Sequence, residues 1–356
     1  MPDAHCVKLP MADGGEGTVS ALIGATDGRR HRKTIVGPLG DPVIASYGML
    51  GDGRTAVIEM AEACGLHLVP PHLRNPLLTT SYGTGELITA ALERGAQKVI
   101  IGVGGSATND GGAGMAQALG FNMIARDGSD LQAGLAGGGL REISRIDSSG
   151  RTERLQGVEI SIACDVENYL VGRNGASRVY GPQKGASPSQ VQTLDRNLRH
   201  FATVIERDLR VNVRRLRGAG AGGGMAAGLV AFANGSLRSG IELVIEAVGF
   251  EERLSDVDVV ITGEGCIDAQ TAFGKTVVGV AAVAGRKNVP VVALGGSLAP
   301  SAQKLFESGV DALESTIVRA MPLSEALRNA RRNTRDAGER IAQWLLLAEK
   351  ISRKNL

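Results

Sequence analysis

Four apolar runs in this 356-residue chain end in residues able to do polar chemistry. Val99, Ile100 and Ile101 lead into Gly104, Gly105, Ser106, Thr108, Asn109 and Asp110. Glu159–Ala163 leads into Cys164, Asp165, Val166, Glu167 and Asn168. Val257–Thr262 leads into Gly263, Glu264, Gly265, Cys266, Ile267 and Asp268, with Lys275 seven residues further on. Val289–Leu294 leads into Gly295, Gly296 and Ser297. Glycine lets a backbone come close to an anion, and a helix start offers unpaired N–H groups to it. Hydroxyls add donors, carboxylates can face a metal, and a lysine can meet developing negative charge. These are the parts of phosphoryl transfer. A single such loop is equally well a tight strand-to-helix connection, because neither the GxGxxG nor the GxxxxGK[ST] spacing is present. The recurrence at four strand ends is what argues for a site.

The expected roles follow from residue type. Gly104, Gly105, Ser106 and Thr108 contact nucleotide phosphates or the transferred phosphoryl group, and Asn109 and Lys184 are grouped with them. Asp110, Asp165 and Glu264 are the candidate Mg²⁺ ligands, since Mg²⁺ takes one or two carboxylates plus phosphate oxygens and water. Asp268 is the candidate base, Lys275 the charge neutraliser, and Asp165 a further catalytic residue. Asp13 and Glu16, on the loop Asp13-Gly14-Gly15-Glu16-Gly17, are candidates for the substrate or a metal, with Asn168 beside them. Each has a plainer explanation. Asp13 and Glu16 suit a capped helix start, and Asp165 and Asp268 suit loop capping. No nucleophile–histidine pairing is evident.

Such loops need a scaffold that gathers them. In a parallel α/β sheet the carboxyl ends of the strands lie along one edge, and ligands bind there. Val7–Leu9 reads as a first strand, followed by a short helix to about Ala25. Thr34–Met60 reads as an antiparallel meander with turns at Gly40-Asp41-Pro42 and Gly51-Asp52-Gly53. Gly83–Arg94 reads as an amphipathic helix. Ser187 and Gln190 form a capping box around Pro188, opening a helix to Leu209 whose Val191, Leu194, Leu198, Phe201 and Ile205 are core. Gly218–Gly224 is either a second anion nest or a close contact that tolerates no side chain. Ser324–Lys350 reads as one long helix, with Leu327, Ile341, Trp344, Leu345 and Ala348 on its apolar side and Arg328, Arg331, Arg332 and Arg335 solvated. The expectation is an α/β protein of two domains with a cleft between them. The first, 1–30, 80–165 and 255–356, is flavodoxin-like with a mostly parallel sheet. The second, 31–79 and 166–254, is a discontinuous α+β domain.

Composition narrows the class. The chain is 43% hydrophobic with a mean hydropathy of +0.02, as in ordinary globular proteins. It has no apolar run of the roughly 18 residues a membrane span needs. The start lacks a signal-peptide layout. Net charge is +2 and aromatics are 3%, so neither nucleic acid nor a membrane surface is an expected partner. Cys6, Cys64, Cys164 and Cys266 are scattered, which points to reduced thiols and a cytoplasmic setting. Glycine is the outlier at 50 residues, and most sit between apolar runs, where backbones turn or approach closely.

Longer motifs carry a resemblance. They are MADGGEGT (Met11–Thr18), YGTGELI (Tyr82–Ile88), GVGGSATNDGGAGM (Gly102–Met115), CDVEN (Cys164–Asn168), GPQKGA (Gly181–Ala186) and ITGEGCIDAQT (Ile261–Thr271). From about residue 7 onward the chain resembles the bacterial glycerate kinase family of the glycerate 2-kinase type. The resemblance implies a two-domain α/β fold, one domain flavodoxin-like. It implies phosphorylation of D-glycerate to 2-phosphoglycerate with ATP and Mg²⁺, in the glycerate, glyoxylate or galactarate branch of metabolism. A homodimer is compatible with it. The chain departs from the family pattern in three places. The usual preceding strand and Pro-Asp-Ser-Phe-Lys-Gly-type loop do not occur before Met1. Cys266 stands where the GEG motif usually continues with arginine. Tyr169-Leu170 stands where Pro-Leu is usual. Two other activities fit the residues: a non-catalytic binder of glycerate or nucleotide, and a kinase or phosphatase acting on another small hydroxy acid.

Overall fold

The computed structural model describes residues 4–268, 271 and 276–354. Its strands are β1 (Arg29–Val36), β2 (Pro42–Met49), β3 (Thr55–Glu59), β4 (Lys98–Gly102), β5 (Asn122–Ile124), β6 (Arg145–Asp147), β7 (Glu159–Ala163), β8 (Ser236–Arg238), β9 (Val260–Ile267), β10 (Val291–Leu298) and β11 (Ala312–Ser315). Its helices are α1 (Thr18–Thr26), α2 (Ala61–Cys64), α3 (Tyr82–Glu93), α4 (Ala113–Ala118), α5 (Ala176–Tyr180), α6 (Pro188–Leu209), α7 (Ala221–Ala233), α8 (Gly240–Val248), α9 (Thr276–Arg286), α10 (Leu323–Arg328) and α11 (Ala330–Ser352). The fold is mixed α/β with a mostly parallel central sheet. The chain divides into two compact units, Pro10–Val248 and Met1–Leu9 with Gly249–Leu356.

In Pro10–Val248 a six-stranded sheet runs β1-β2-β3-β4-β7-β8. The first two pairings are antiparallel and the other three parallel. The alternation of strand side chains explains its thickness. Ala56, Ile58, Val99, Ile101, Ile160 and Ile162 join the core that α3, α4, α6 and α7 cover. Gly48, on the other face, packs against Val19 and Ile23 of α1. Strands buried on both faces read as continuous apolar runs, as β3 and β4 do. Each fully buried Leu, Ile or Phe on this scaffold contributes about 1.5–3 kcal/mol. The capping box forms as expected: Gln190 N donates to Ser187 Oγ at 3.3 Å, and Ser187 N donates to Gln190 Oε1 at 2.8 Å.

Several expectations are corrected. The meander of β1–β3 is not part of a separate domain with 166–254. Its last strand pairs with β4, Val57 opposite Ile100, so one backbone ladder carries both. The four apolar runs do not share one sheet edge. β4 and β7 are neighbours in the six-stranded sheet, whereas β9 and β10 belong to a parallel sheet ordered β11-β10-β9 in the unit that contains Gly249–Leu356. There the glycines expected to open loops lie inside strands: Leu294 pairs with Gly263, Gly295 with Glu264 and Ser297 with Cys266. A Cβ on Gly263 would stand 2.2 Å from the Leu294 carbonyl oxygen, so glycine here permits close strand approach rather than a turn. Val7–Leu9 lies outside every strand. The expected C-terminal helix is broken at Asn329 into α10 and α11. Ala326, Ala337 and Ile341 are its buried residues, while Leu327 is 66% and Trp344 64% exposed. Among the described residues, no helix is long and apolar enough to cross a membrane.

Candidate active site

Four segments of Pro10–Val248 meet because glycines let their backbones touch. A Cβ on Gly102, at the end of β4, would lie 2.4 Å from the Gly14 carbonyl oxygen. One on Gly14 would lie 2.6 Å from Ala163 Cβ at the end of β7, and Gly14 has φ +88°. One on Gly240 would lie 1.8 Å from the Asp13 carbonyl oxygen. Below them, Glu59 at the end of β3 accepts a 2.8 Å hydrogen bond from Val19 N, pinning the first turn of α1. Burial holds its carboxyl above the usual range. Glu59 was not singled out from the sequence, although a carboxylate closing an apolar strand is the available signal.

These loops line a cavity of about 250 Å³ whose walls include Asp13, Gly104, Gly105, Ser106, Asp165 and Lys184. Asp165 Oδ1 accepts from Gly240 N at 3.0 Å. Its carboxyl is pushed up, mainly by partial burial, with like-charge repulsion from Asp13 and Glu242 adding to the effect. Lys184 sits on the short turn Pro182–Lys184. That turn ends at Gly185, whose φ of +91° and close approach to the Arg74 carbonyl admit no side chain. The turn drives Lys184 inward until it is 2% exposed. Its Nζ donates to Ser106 Oγ at 2.7 Å and to the Thr108 carbonyl at 2.6 Å. Burial lowers this ammonium to about 8, opposed by Cys64 and Asp110. Burial pushes the Cys64 thiol up to about 12.

Other expected residues lie elsewhere. Asp110 is fully buried. It accepts from Ser81 N at 2.9 Å, Ser81 Oγ at 2.6 Å, Gly112 N at 3.0 Å and Gly114 N at 3.4 Å. It therefore caps the starts of α3 and α4, and its expected place as a metal ligand has no approach path for a cation. Thr108 and Asn109 are also buried, and Asn109 Nδ2 donates to Ser177 Oγ at 3.1 Å. Asn168 is away from the cavity wall, where it braces Tyr180, whose OH donates to Asn168 Oδ1 at 2.6 Å. Tyr180 and Gln183 also line the cavity, though neither was given a role from the sequence; Gln183 lies within the GPQK motif and Tyr180 directly before it. Glu16 is exposed on the first loop.

In the unit that contains Gly249–Leu356, Glu264 on β9 accepts a hydrogen bond from the Thr271 hydroxyl. Asp268 N donates to Thr271 Oγ1 at 3.1 Å. Lys275 lies outside the described residues. Among the described residues, no group of three or more His, Cys, Asp or Glu is placed to hold a metal. The donor set in the cavity, Asp13 with Asp165, still fits Mg²⁺, which fills its remaining positions with phosphate oxygens and water.

The Gly218–Gly224 run is the close contact rather than a free nest. Gly222, Gly223 and Gly224 have φ of 63°, 71° and 91° at the start of α7. A Cβ on Gly223 would come 2.0 Å from the Thr108 carbonyl oxygen. Gly223→Ala is therefore expected to lower stability by about 1–3 kcal/mol through backbone strain alone, with the clash adding more. A urea titration followed by circular dichroism checks this, and an unchanged midpoint would refute it.

An α/β scaffold that sets a glycine loop, a buried ammonium and paired carboxylates around a small cavity has the equipment of a phosphotransferase for small hydroxylated acceptors. Comparison with known proteins narrows that class. The sequence model of the glycerate kinase family matches residues 1–346, and the chain belongs to that family. It is 50% identical to a glycerate kinase of Bacillus subtilis (strain 168), covering 98% of this chain and 91% of the relative. It is 51% identical to the glycerate 2-kinase of Escherichia coli (strain K12), covering 97% and 90%. It is similar to the crystal structure of a candidate glycerate kinase 2 from Salmonella typhimurium LT2, with a TM-score of 0.89 and 50% identity over 98% of this chain and 91% of that one.

Proposed function

We propose that the chain transfers a phosphoryl group from ATP to D-glycerate, giving 2-phosphoglycerate. The observation that carries this is the single cavity in which the carboxylates of Asp13 and Asp165 share walls with Lys184 and the Gly104–Ser106 loop. Its parent family and the names of its relatives supply the acceptor and the donor.

Asp13 and Asp165 would hold Mg²⁺ together with nucleotide oxygens and water; when bound, the ion neutralises charge on the transferring phosphoryl group. The protein's own groups do the rest. Asp165, with one oxygen fixed by Gly240, orients the acceptor hydroxyl and the cation. The Gly104–Ser106 backbone and Lys184 meet negative charge at the opposite wall. The protein works inside the cell, in the cytoplasm.

ADP release measured with D-glycerate, L-glycerate and other small hydroxy acids tests the proposal. The expected result is ADP formation that requires D-glycerate. Release that requires a different hydroxy acid would reassign the substrate. Glycerate binding with no ADP from any acid would make the chain a non-catalytic binder.

A further inference from the structure

The loop Gly104-Gly105-Ser106 presents backbone donors, and its middle carbonyl is already engaged. Gly105 has φ +70°, and its carbonyl is taken by Leu66 N at 2.8 Å. The flanking Ala107 N is taken by the Cys64 carbonyl at 2.8 Å. Among the described residues, no acceptor takes the N–H of Gly104, Gly105 or Ser106. Successive amides around a left-handed residue make an anion-binding concavity. Lys184 extends it. An ammonium has three donors, and two are spent on Ser106 Oγ and the Thr108 carbonyl. Because Ser106 Oγ accepts from Lys184, its own proton is directed elsewhere. Three amides, one hydroxyl and one ammonium N–H are thus available at one end of the cavity, and Asp13 and Asp165 stand on its other walls.

We infer that this end of the cavity is the carboxylate pocket of the acceptor substrate: Gly104, Gly105, Ser106 and Lys184 take the carboxylate of a small hydroxy acid, whose hydroxyls turn toward Asp13 and Asp165. The inference rests on the proposed function, and it gives Ser106 and Lys184 to the acceptor rather than to the nucleotide. Size favours it. A cavity of about 250 Å³ falls below the roughly 300–1,000 Å³ of sites for drug-sized ligands, so it suits a three-carbon acid better than a whole nucleotide. Charge favours it too. One buried ammonium balances one carboxylate. The arrangement also matches the ends of the ligand: anion to donors, hydroxyl protons to carboxylates.

Binding measured by calorimetry without turnover tests this, using D-glycerate, its neutral amide D-glyceramide and a non-hydrolysable ATP analogue with Mg²⁺. The wild type is expected to prefer D-glycerate over D-glyceramide by about 100-fold or more. Ser106→Ala should weaken D-glycerate by about 10–100-fold and leave D-glyceramide and the ATP analogue within about twofold. Lys184→Met should do the same more strongly; since it alters a buried group, Ser106→Ala decides if Lys184→Met fails to fold. Two results would overturn the inference while glycerate-dependent ADP release persists. One is weakened analogue binding with unchanged D-glycerate, which gives the pocket to a phosphate. The other is Ser106→Ala binding of all three ligands as in the wild type. Wild-type protein that binds no glycerate and releases no ADP would instead remove the proposed function itself.

Discussion

Asp110→Ala is expected to lower the stability of the Pro10–Val248 unit by about 3–5 kcal/mol. The carboxylate is fully buried and accepts from Ser81 N, Ser81 Oγ, Gly112 N and Gly114 N. Alanine strands all of these donors away from water, and each stranded buried donor costs about 1–3 kcal/mol before relaxation. It also removes the carboxylate bridge between the start of α3 and the start of α4, leaving the 3.0 Å bond that Met115 N donates to Ser81 Oγ as a remaining link. Asp110→Asn keeps the shape but brings an NH₂ group against backbone N–H groups, so a smaller loss of about 1–3 kcal/mol is expected. Urea denaturation followed by far-ultraviolet circular dichroism measures both. A change below about 1 kcal/mol for the alanine variant would contradict the internal cap, since a solvent-facing carboxylate gives changes of that size.

Asp165→Asn is expected to lower kcat/KM for D-glycerate by about 10²–10⁴-fold with little change in melting temperature. Asp165 accepts from Gly240 N at 3.0 Å and also bonds the Ser239 side chain, and an asparagine carbonyl can take over the bond to Gly240. The carboxylate lines the cavity, where an amide nitrogen can neither accept a hydroxyl proton nor bind a cation. Partial burial and Asp13 raise the Asp165 carboxyl, which brings it nearer the range useful for proton transfer. A loop-capping Asp165 would instead show near-normal turnover in the asparagine variant, because the bond to Gly240 survives. Steady-state kinetics beside a thermal melt separates the two.

Much of the site was legible because it depends on local chemistry. The apolar run Val99–Ile101 ending in glycines gave β4 and its loop, and Glu159–Ala163 gave β7 with Asp165 at its end. Ser187 and Gln190 gave the start of α6. What stayed hidden depends on direction and on distant partners. Asp110 looks like a ligand in the sequence because nothing there tells which way a loop carboxylate turns. Its role is set by Ser81, 29 positions away. Lys184 is read from the sequence as a phosphate contact, but its burial is not: Gly185, pressed against the Arg74 carbonyl, turns it inward. Gly263 and Gly295 look like strand ends, yet glycine can also let two strands lie close, as β9 and β10 do. Apolar runs of this kind look the same in one parallel sheet as in two. The pairing of β3 with β4, which joins the meander to the main sheet, is likewise a choice among buried strands that sequence leaves open.

On the proposed reading, phosphate goes to the secondary hydroxyl of D-glycerate. The most direct measurement is phosphorus NMR, with proton coupling retained, on the product formed from D-glycerate and ATP. A single phosphoglycerate signal split by the lone proton on carbon 2 is expected. A signal split by the methylene protons of carbon 3, or no phosphoglycerate at all, would contradict it.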